Sequence, residues 1–174
     1  MTCWRRRVRV RSATLATVRP HESSEMYEDW LANSAAVAAT LAAVALCVVI
    51  HYEGLLIVSR GLAFLSSRHQ RIKVLYSILT IVLLHVAEIW VFGILFWLLP
   101  KWPTLGHITG QDGGSLVDAI YLSAVTFSTV GYGDIAPVGP IRLLAGTEAL
   151  LGLVLITWSA SFTYLEMDRY WRRP

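Results

Sequence analysis

Residues 115–134 of the chain read SLVDAIYLSAVTFSTVGYGD, and this stretch decides the fold. It begins as a mostly apolar run of helical length and leads directly into a segment in which glycines alternate with a β-branched and an aromatic residue. Glycine adopts positive φ angles without steric penalty, so alternating glycines let a backbone turn successive carbonyl groups towards one side. Carbonyl oxygens of residues 129–132, repeated around an axis, would form stacked rings that replace the hydration shell of a cation.

The segment TVGYGD at residues 129–134 closely resembles the pore loop of the tetrameric potassium-channel superfamily, whose established filter sequence is TVGYG. The resemblance covers residues 74–166, because a hydrophobic span lies on each side of the loop, as in the two-transmembrane pore module of that superfamily. It implies that K⁺ binds at Thr129, Val130, Gly131 and Tyr132. The full set of ion-binding filter residues implied by the resemblance is Thr129, Val130, Gly131, Tyr132, Gly133 and Asp134.

The resemblance also implies individual roles for these residues. Thr129 supplies both its carbonyl and its hydroxyl at the cavity end, and Gly133 permits the turn that follows. Asp134 places a carboxylate at the outer mouth. Tyr132 is expected to brace the loop outwards against the preceding helix, with Tyr121 as a candidate neighbour.

One position departs from the pattern of some relatives, which carry an acidic partner for the aspartate four residues before the filter threonine. Val125 occupies that position here. A valine cannot form a carboxyl–carboxylate pair, so the coupling that governs filter inactivation in those relatives is not expected in this chain.

Composition places the chain in a membrane. It has 174 residues, of which 55% are hydrophobic, and its mean hydropathy is +0.54, more apolar sequence than one soluble core requires. The net charge is only +3, and the basic residues cluster at residues 5–19, at residues 60–73 and at the C-terminal end. This clustering is typical of membrane topology and does not indicate nucleic-acid binding. Two cysteines, Cys3 and Cys47, do not indicate a disulfide framework.

Three apolar stretches are long enough to cross a hydrocarbon core of about 30 Å as helices. They are residues 31–58, 74–99 and 140–166. Residues 100–114 are rich in glycine and proline and predict a loop. Ser115 and Asp118 then form a capping-box pattern for a short helix over residues 116–127, which cannot span a bilayer and suits a re-entrant pore helix.

These elements predict an all-α integral membrane protein with three transmembrane helices, a re-entrant pore helix and a filter loop. Residues 1–30 are predicted to be a disordered tail, although Met26 is an alternative start of the protein. Residues 31–73 form an extra transmembrane helix with a basic cytoplasmic connection, residues 74–166 the pore module, and residues 167–174 a short cytoplasmic tail. Because one loop cannot surround an ion, we expect three further copies of the chain to complete a homotetramer in the lipid bilayer.

The charges predict the topology in the cell membrane. A pore loop that enters from outside requires the second span to run outwards and the third to return. The basic residues 60–73 and the arginine-bearing C-terminus then lie in the cytoplasm, as the positive-inside rule expects. With three spans the N-terminus is predicted to lie outside. The acidic residues 22–29 agree with this orientation, whereas the arginines of residues 5–19 do not.

Four ionisable residues lie within the first two spans: His51, Glu53, His85 and Glu88. Such groups are costly in a membrane and usually face protein or water. His85 and Glu88 share one helix face, and counting residues from the helix ends places His51 and His85 at similar depth. The group predicts either an interhelical hydrogen-bonded lock, a pH sensor or a metal site.

The third span is expected to line the cavity and gate. Gly146 and Gly152 permit bending, and Gly152 lies near the hinge glycine expected in such helices, although close helix packing explains it equally well. Glu148 is expected to form a hydrogen bond behind the pore helix.

The sequence therefore predicts a potassium-selective channel subunit that conducts K⁺ passively, with no enzymatic activity, no cofactor and no nucleic-acid partner. The span before the pore module lacks regularly spaced arginines, so a voltage sensor is not expected, and the short C-terminal end predicts no attached gating domain. The alternatives are a weakly selective cation channel, a membrane metalloprotein that uses the histidine and glutamate group, and a non-conducting accessory subunit.

Overall fold

The computed structural model describes residues 30–64, 70–110 and 114–171. Three long helices dominate it: α1 spans Trp30–Phe64, α2 spans Gln70–Leu98, and α4 spans Arg142–Trp171. A shorter helix, α3, spans Leu116–Phe127. The three long helices each contain a stretch that is long and apolar enough to cross a membrane, whereas α3 does not reach that length. The predicted spans are confirmed as helices.

The helix ends differ from the prediction where the chain is basic. Residues 60–64 still belong to α1, and α2 already begins at Gln70, so the basic connection predicted at residues 60–73 is largely helical. Lysine and arginine are good helix formers and can extend a helix beyond the apolar core of a membrane. For the same reason, α4 continues to Trp171, into the tail predicted for residues 167–174. The tail predicted at the N-terminus lies outside the described residues, except for Trp30.

A small antiparallel sheet, which the sequence did not predict, accompanies the mostly helical fold. Strand β1, His107–Thr109, pairs with strand β2, Ala136–Val138, so that Ile108 lies opposite Pro137. β1 lies in the predicted loop of residues 100–114, which also contains the 3₁₀ turn Pro103–Leu105 and follows from a first 3₁₀ turn, Leu99–Lys101. The sheet joins the segment before α3 to the segment after the pore loop. It therefore holds the chain segments on either side of residues 110–135 next to each other.

The core forms where α3 packs between α2 and α4. Its largest buried apolar side chains come from these three helices and from the residue just before α4: Phe92, Phe96, Phe127, Ile141, Leu144 and Leu155. Gly93 lets the α3 backbone approach α2, because an added Cβ would lie 2.9 Å from the Ile120 Cα. The short helix is thus held rigidly by the two long helices that flank it.

Helix α1 contacts the rest of the molecule along one stripe of mostly small residues. The buried positions Ala32, Ala36, Ala43 and Cys47 recur at helical spacing, and His51 lies one turn beyond Cys47 on the same stripe. Small side chains let membrane helices approach closely. The stripe therefore explains why a histidine in α1 is buried against the pore module.

Candidate functional site

Helix α3 positions the pore loop. Ser115 caps its N-terminus, and the Ser115 Oγ accepts a hydrogen bond from the Val117 N–H at 3.1 Å. The helix ends at Phe127, as the sequence predicts. The chain then folds back on the helix end, where the Gly131 N–H donates to the Val125 carbonyl oxygen at 3.0 Å. The loop therefore begins from a fixed point between α2 and α4.

The backbone of the pore loop alternates in conformation. Thr129, Gly131 and Gly133 have φ angles of 60°, 54° and 80°, so every second residue is in the left-handed region. Thr129 is the only non-glycine residue with a positive φ in the described part of the chain. This conformation is unfavourable for a β-branched residue, and such strain is typical of functional sites. Residues 128–134 are all exposed in the single chain.

The outer end of the loop is held by a tyrosine. The Tyr121 hydroxyl donates a hydrogen bond to the Asp134 Oδ2 at 2.9 Å. This hydrogen bond raises the pKa of Tyr121 above its ordinary value, and the nearby negative charge acts in the same direction. Val125 is buried and contributes no acid, and the phenol of Tyr121 is the hydrogen-bond partner of Asp134 in this chain. Tyr132 is 73% exposed, and the bracing role expected for it stays a prediction.

A buried polar pair supports the inner face of α3. Ser123 and Glu148 are both fully buried, and the Ser123 Oγ contacts the Glu148 Oε1 as well as the Ile89 carbonyl oxygen, at 2.8 Å. The expected hydrogen bond of Glu148 behind the short helix is confirmed. The sequence analysis did not identify Ser123, although a small polar residue on the apolar face of a short helix was a usable signal.

Gly152 lies against the end of α3. An added Cβ at this position would overlap the Phe127 carbonyl oxygen, while an added Cβ at Gly146 would meet nothing within 4 Å. Close packing therefore accounts for Gly152, and its role as a gating hinge stays a prediction.

Three of the four ionisable residues in the first two spans come together. The His51 Nδ1 lies 2.8 Å from the Glu88 Oε1, and the His85 Nδ1 lies 2.9 Å from the Glu88 Oε2. His51 and Glu88 are fully buried, whereas the His85 side chain is 16% exposed. We call His51, His85 and Glu88 the His–Glu cluster.

The inclusion of Glu53 in this group was wrong. Glu53 is exposed, whereas His51, two residues earlier in α1, is buried. Residues two apart in an α-helix point in nearly opposite directions, so His51 and Glu53 cannot both face α2.

The His–Glu cluster lies beside the C-terminal end of α3, from which the loop of residues 128–134 begins. The His85 ring centroid is 5.7 Å from that of Phe127, the last residue of α3. On its other side, the His51 Nε2 lies 3.4 Å from the Ser159 Oγ in α4. The cluster thus contacts α1, α2, α4 and the end of α3.

Comparisons with known proteins identify the family of the chain. The profile of the "Ion channel" family matches residues 75–164, just over half of the chain. Protein LctB of Geobacillus stearothermophilus is 39% identical over 67 residues, which cover 38% of this chain and 50% of LctB. The inward rectifier potassium channel Kirbac3.1 of Paramagnetospirillum magnetotacticum is 39% identical over 57 residues, 32% of this chain and 19% of that channel.

The chain is also similar to a plant protein. Two-pore potassium channel 4 of Arabidopsis thaliana is 38% identical over 63 residues, 36% of this chain and 20% of that channel. The matched region spans at most half the length of these relatives. No solved structure was found to match the chain. The chain belongs to the ion-channel family and is a multi-pass membrane protein with a two-transmembrane module of the potassium-channel type.

Proposed function

We propose that the chain is one subunit of a potassium-selective channel in which four copies place residues 129–133 around one axis. The observation that carries this proposal is the alternation of left-handed backbone at Thr129, Gly131 and Gly133. Alternation of this kind turns successive carbonyl groups towards the same side. Four such backbones would offer stacked rings of oxygens that replace the hydration shell of K⁺ and allow passive conduction.

The exposure of the loop supports assembly with further copies. Val130 is 54% exposed and Tyr132 is 73% exposed in the single chain, although both are large and apolar or aromatic. An irregular backbone at membrane depth is tolerated only where it is buried in protein or lines a water-filled path. Three neighbouring copies would cover the outer side of the loop and leave its carbonyl groups facing a central path.

The length and position of α3 support a re-entrant path. Its 12 residues give a helix of about 18 Å, well short of a hydrocarbon core of about 30 Å. The C-terminal end of the helix leads into the loop, so its carbonyl dipoles would place partial negative charge near the conducted ion.

The two ends of the molecule support the predicted orientation. The start of α2 meets the end of α4, where Lys73 and Glu166 line one small cavity. At the opposite end, Ala32 of α1 lies beside Leu105 in the segment before α3. We infer that the end with Arg71, Lys73 and Arg169 is cytoplasmic, and that α1 starts on the outer side, beside the mouth of the loop.

Ion flux from the purified chain in liposomes tests the proposal. We expect K⁺ flux that falls by orders of magnitude when Na⁺ replaces K⁺ and that Ba²⁺ blocks. Equal K⁺ and Na⁺ flux would indicate the weakly selective cation channel, and no flux would indicate an accessory subunit. Either result would contradict the proposal.

A matched pair of glycine substitutions sharpens this test. Gly131→Ala adds a methyl group that meets no atom of its own chain, so within the subunit it acts through the φ angle of 54° that alanine disfavours. We expect it to abolish K⁺ flux or selectivity. Gly146→Ala adds the same group in α4, again with nothing within 4 Å and without a positive φ, and should keep both. Unchanged K⁺ selectivity in Gly131→Ala would refute the filter assignment.

A further inference from the structure

The His–Glu cluster has the composition of a transition-metal site. Two imidazoles and one carboxylate are a donor set that zinc uses in proteins. One donor atom from each of His51, His85 and Glu88 lies within 4.8 Å of the others. In the described part of the chain, these three residues are the only group of histidine, cysteine, aspartate and glutamate side chains close enough to hold a metal ion.

The orientation of the donors favours one central ion. Both Nδ1 atoms point at a single carboxylate, one at each of its oxygens, at 2.8 and 2.9 Å. Zinc bonds of about 2.0–2.2 Å place tetrahedral donors about 3.3 Å apart. The donor atoms here lie within 4.8 Å of one another, so side-chain shifts of at most about 1.5 Å close the site. Because both oxygens of Glu88 face the imidazoles, a bidentate carboxylate would complete four donor atoms.

The surroundings also match those of metal-bound histidines. A histidine that binds a metal through one ring nitrogen usually donates a hydrogen bond from the N–H of the other to an oxygen, which fixes the orientation of the ring. The Ser159 Oγ lies 3.4 Å from the His51 Nε2 and can accept that hydrogen bond. Burial removes competing water from His51 and Glu88, while the partial exposure of His85 leaves a side from which an ion can enter.

We propose that His51, His85 and Glu88 bind Zn²⁺ or a similar divalent transition-metal ion that fastens α1 to α2. Intramembrane ionisable residues require a partner, and one ion would serve all three groups. The ion would replace the protons shared between each imidazole and the carboxylate. The site lies apart from the filter loop, so its existence does not depend on the proposed K⁺ conduction.

Zinc binding to the purified full-length chain tests this proposal without measuring conduction. After removal of metal with a chelator, Zn²⁺ is titrated, bound zinc is counted by mass spectrometry and the melting temperature is followed. We expect one zinc per chain at this site and a rise of several degrees in melting temperature. Mg²⁺, which prefers oxygen donors, should produce neither effect.

Substitutions locate the ion. Glu88→Gln and His85→Gln should each weaken zinc binding on the order of tenfold or more and remove the rise in melting temperature. Glu53→Gln and His107→Gln are matched controls at exposed positions and should bind zinc like the wild type. His85→Gln also serves as the milder variant, because His85 is partly exposed and glutamine keeps a hydrogen-bond donor. If the wild type binds no zinc, or if His85→Gln binds as much as the wild type, the proposal is wrong.

Discussion

Tyr121 and Asp134 show how single residues define the mouth of the proposed pore. Their hydrogen bond joins the middle of α3 to the end of the loop, thirteen positions along the chain. The sequence named both residues but did not pair them, because the pairing depends on the path of the intervening loop. By contrast, the two glycines of TVGYG were enough to predict a left-handed backbone at Gly131 and Gly133, since glycine adopts positive φ angles without steric penalty.

Removing the Tyr121 hydroxyl should loosen the outer end of the loop. We expect Tyr121→Phe to lower K⁺ over Na⁺ selectivity by up to about tenfold in liposome flux. Tyr164→Phe, at an exposed position of α4, is the control and should leave selectivity unchanged.

The pH dependence of this difference follows from the raised pKa of Tyr121. A raised pKa means that the bond favours the protonated phenol. Its contribution is therefore fully present below the ordinary tyrosine value of about 10 and is lost as the pH rises through the higher value of the folded protein. The difference between wild type and Tyr121→Phe should stay constant from about pH 7 to 9. A difference that disappears within this range would show that the bond does not hold the loop.

At the scale of the element, glycines set how closely the helices of the pore module approach. Gly93 lets α3 pack closely against α2, and Gly152 lets the end of α3 pack closely against α4. The sequence left hinge and packing open for Gly152, because a glycine in an apolar helix fits both. The neighbouring Phe127 carbonyl group shows that the position needs a glycine for packing, whereas its role as a gating hinge stays a prediction.

Gly152→Ala should therefore destabilise the fold. Its added methyl group overlaps the Phe127 backbone, and overpacking of this kind costs about 1–3 kcal/mol. The free energy of unfolding, measured with denaturant in detergent micelles, should fall by that amount. Gly146→Ala should be neutral or stabilising, since its methyl group meets no neighbour and alanine favours a helix. Equal stability of Gly152→Ala and the wild type would remove packing as the reason for this glycine.

The helices could be predicted from sequence with fair bounds, and the reasons for the misses are physical. Hydropathy and capping gave the three spans and the limits of α3, since both are local properties. The small sheet was missed because β1 and β2 are three residues each and form only by pairing across the loop. Helix periodicity correctly placed His85 and Glu88 on one face of α2. The same periodicity places Glu53 on the face of α1 opposite to His51, so Glu53 should not have been included.

At the scale of the whole molecule, one chain would supply one quarter of the proposed pore. The residues proposed to bind K⁺ lie on its surface, and the helices expose large apolar side chains such as Leu41, Leu83 and Leu150. Lipid covers such surfaces in a membrane protein, and further copies cover the part nearest the loop in the proposed assembly. The extra helix α1 packs on the outside of the pore module through its small-residue stripe, with the His–Glu cluster at the contact.

Electron cryomicroscopy of the purified full-length chain in lipid and K⁺ tests the central claim most directly. The account predicts a particle with fourfold rotational symmetry, in which residues 129–133 of every copy meet at the axis and K⁺ density lies between their carbonyl oxygens. A particle without fourfold symmetry, or one whose GYG segment lies away from the central axis, would contradict it.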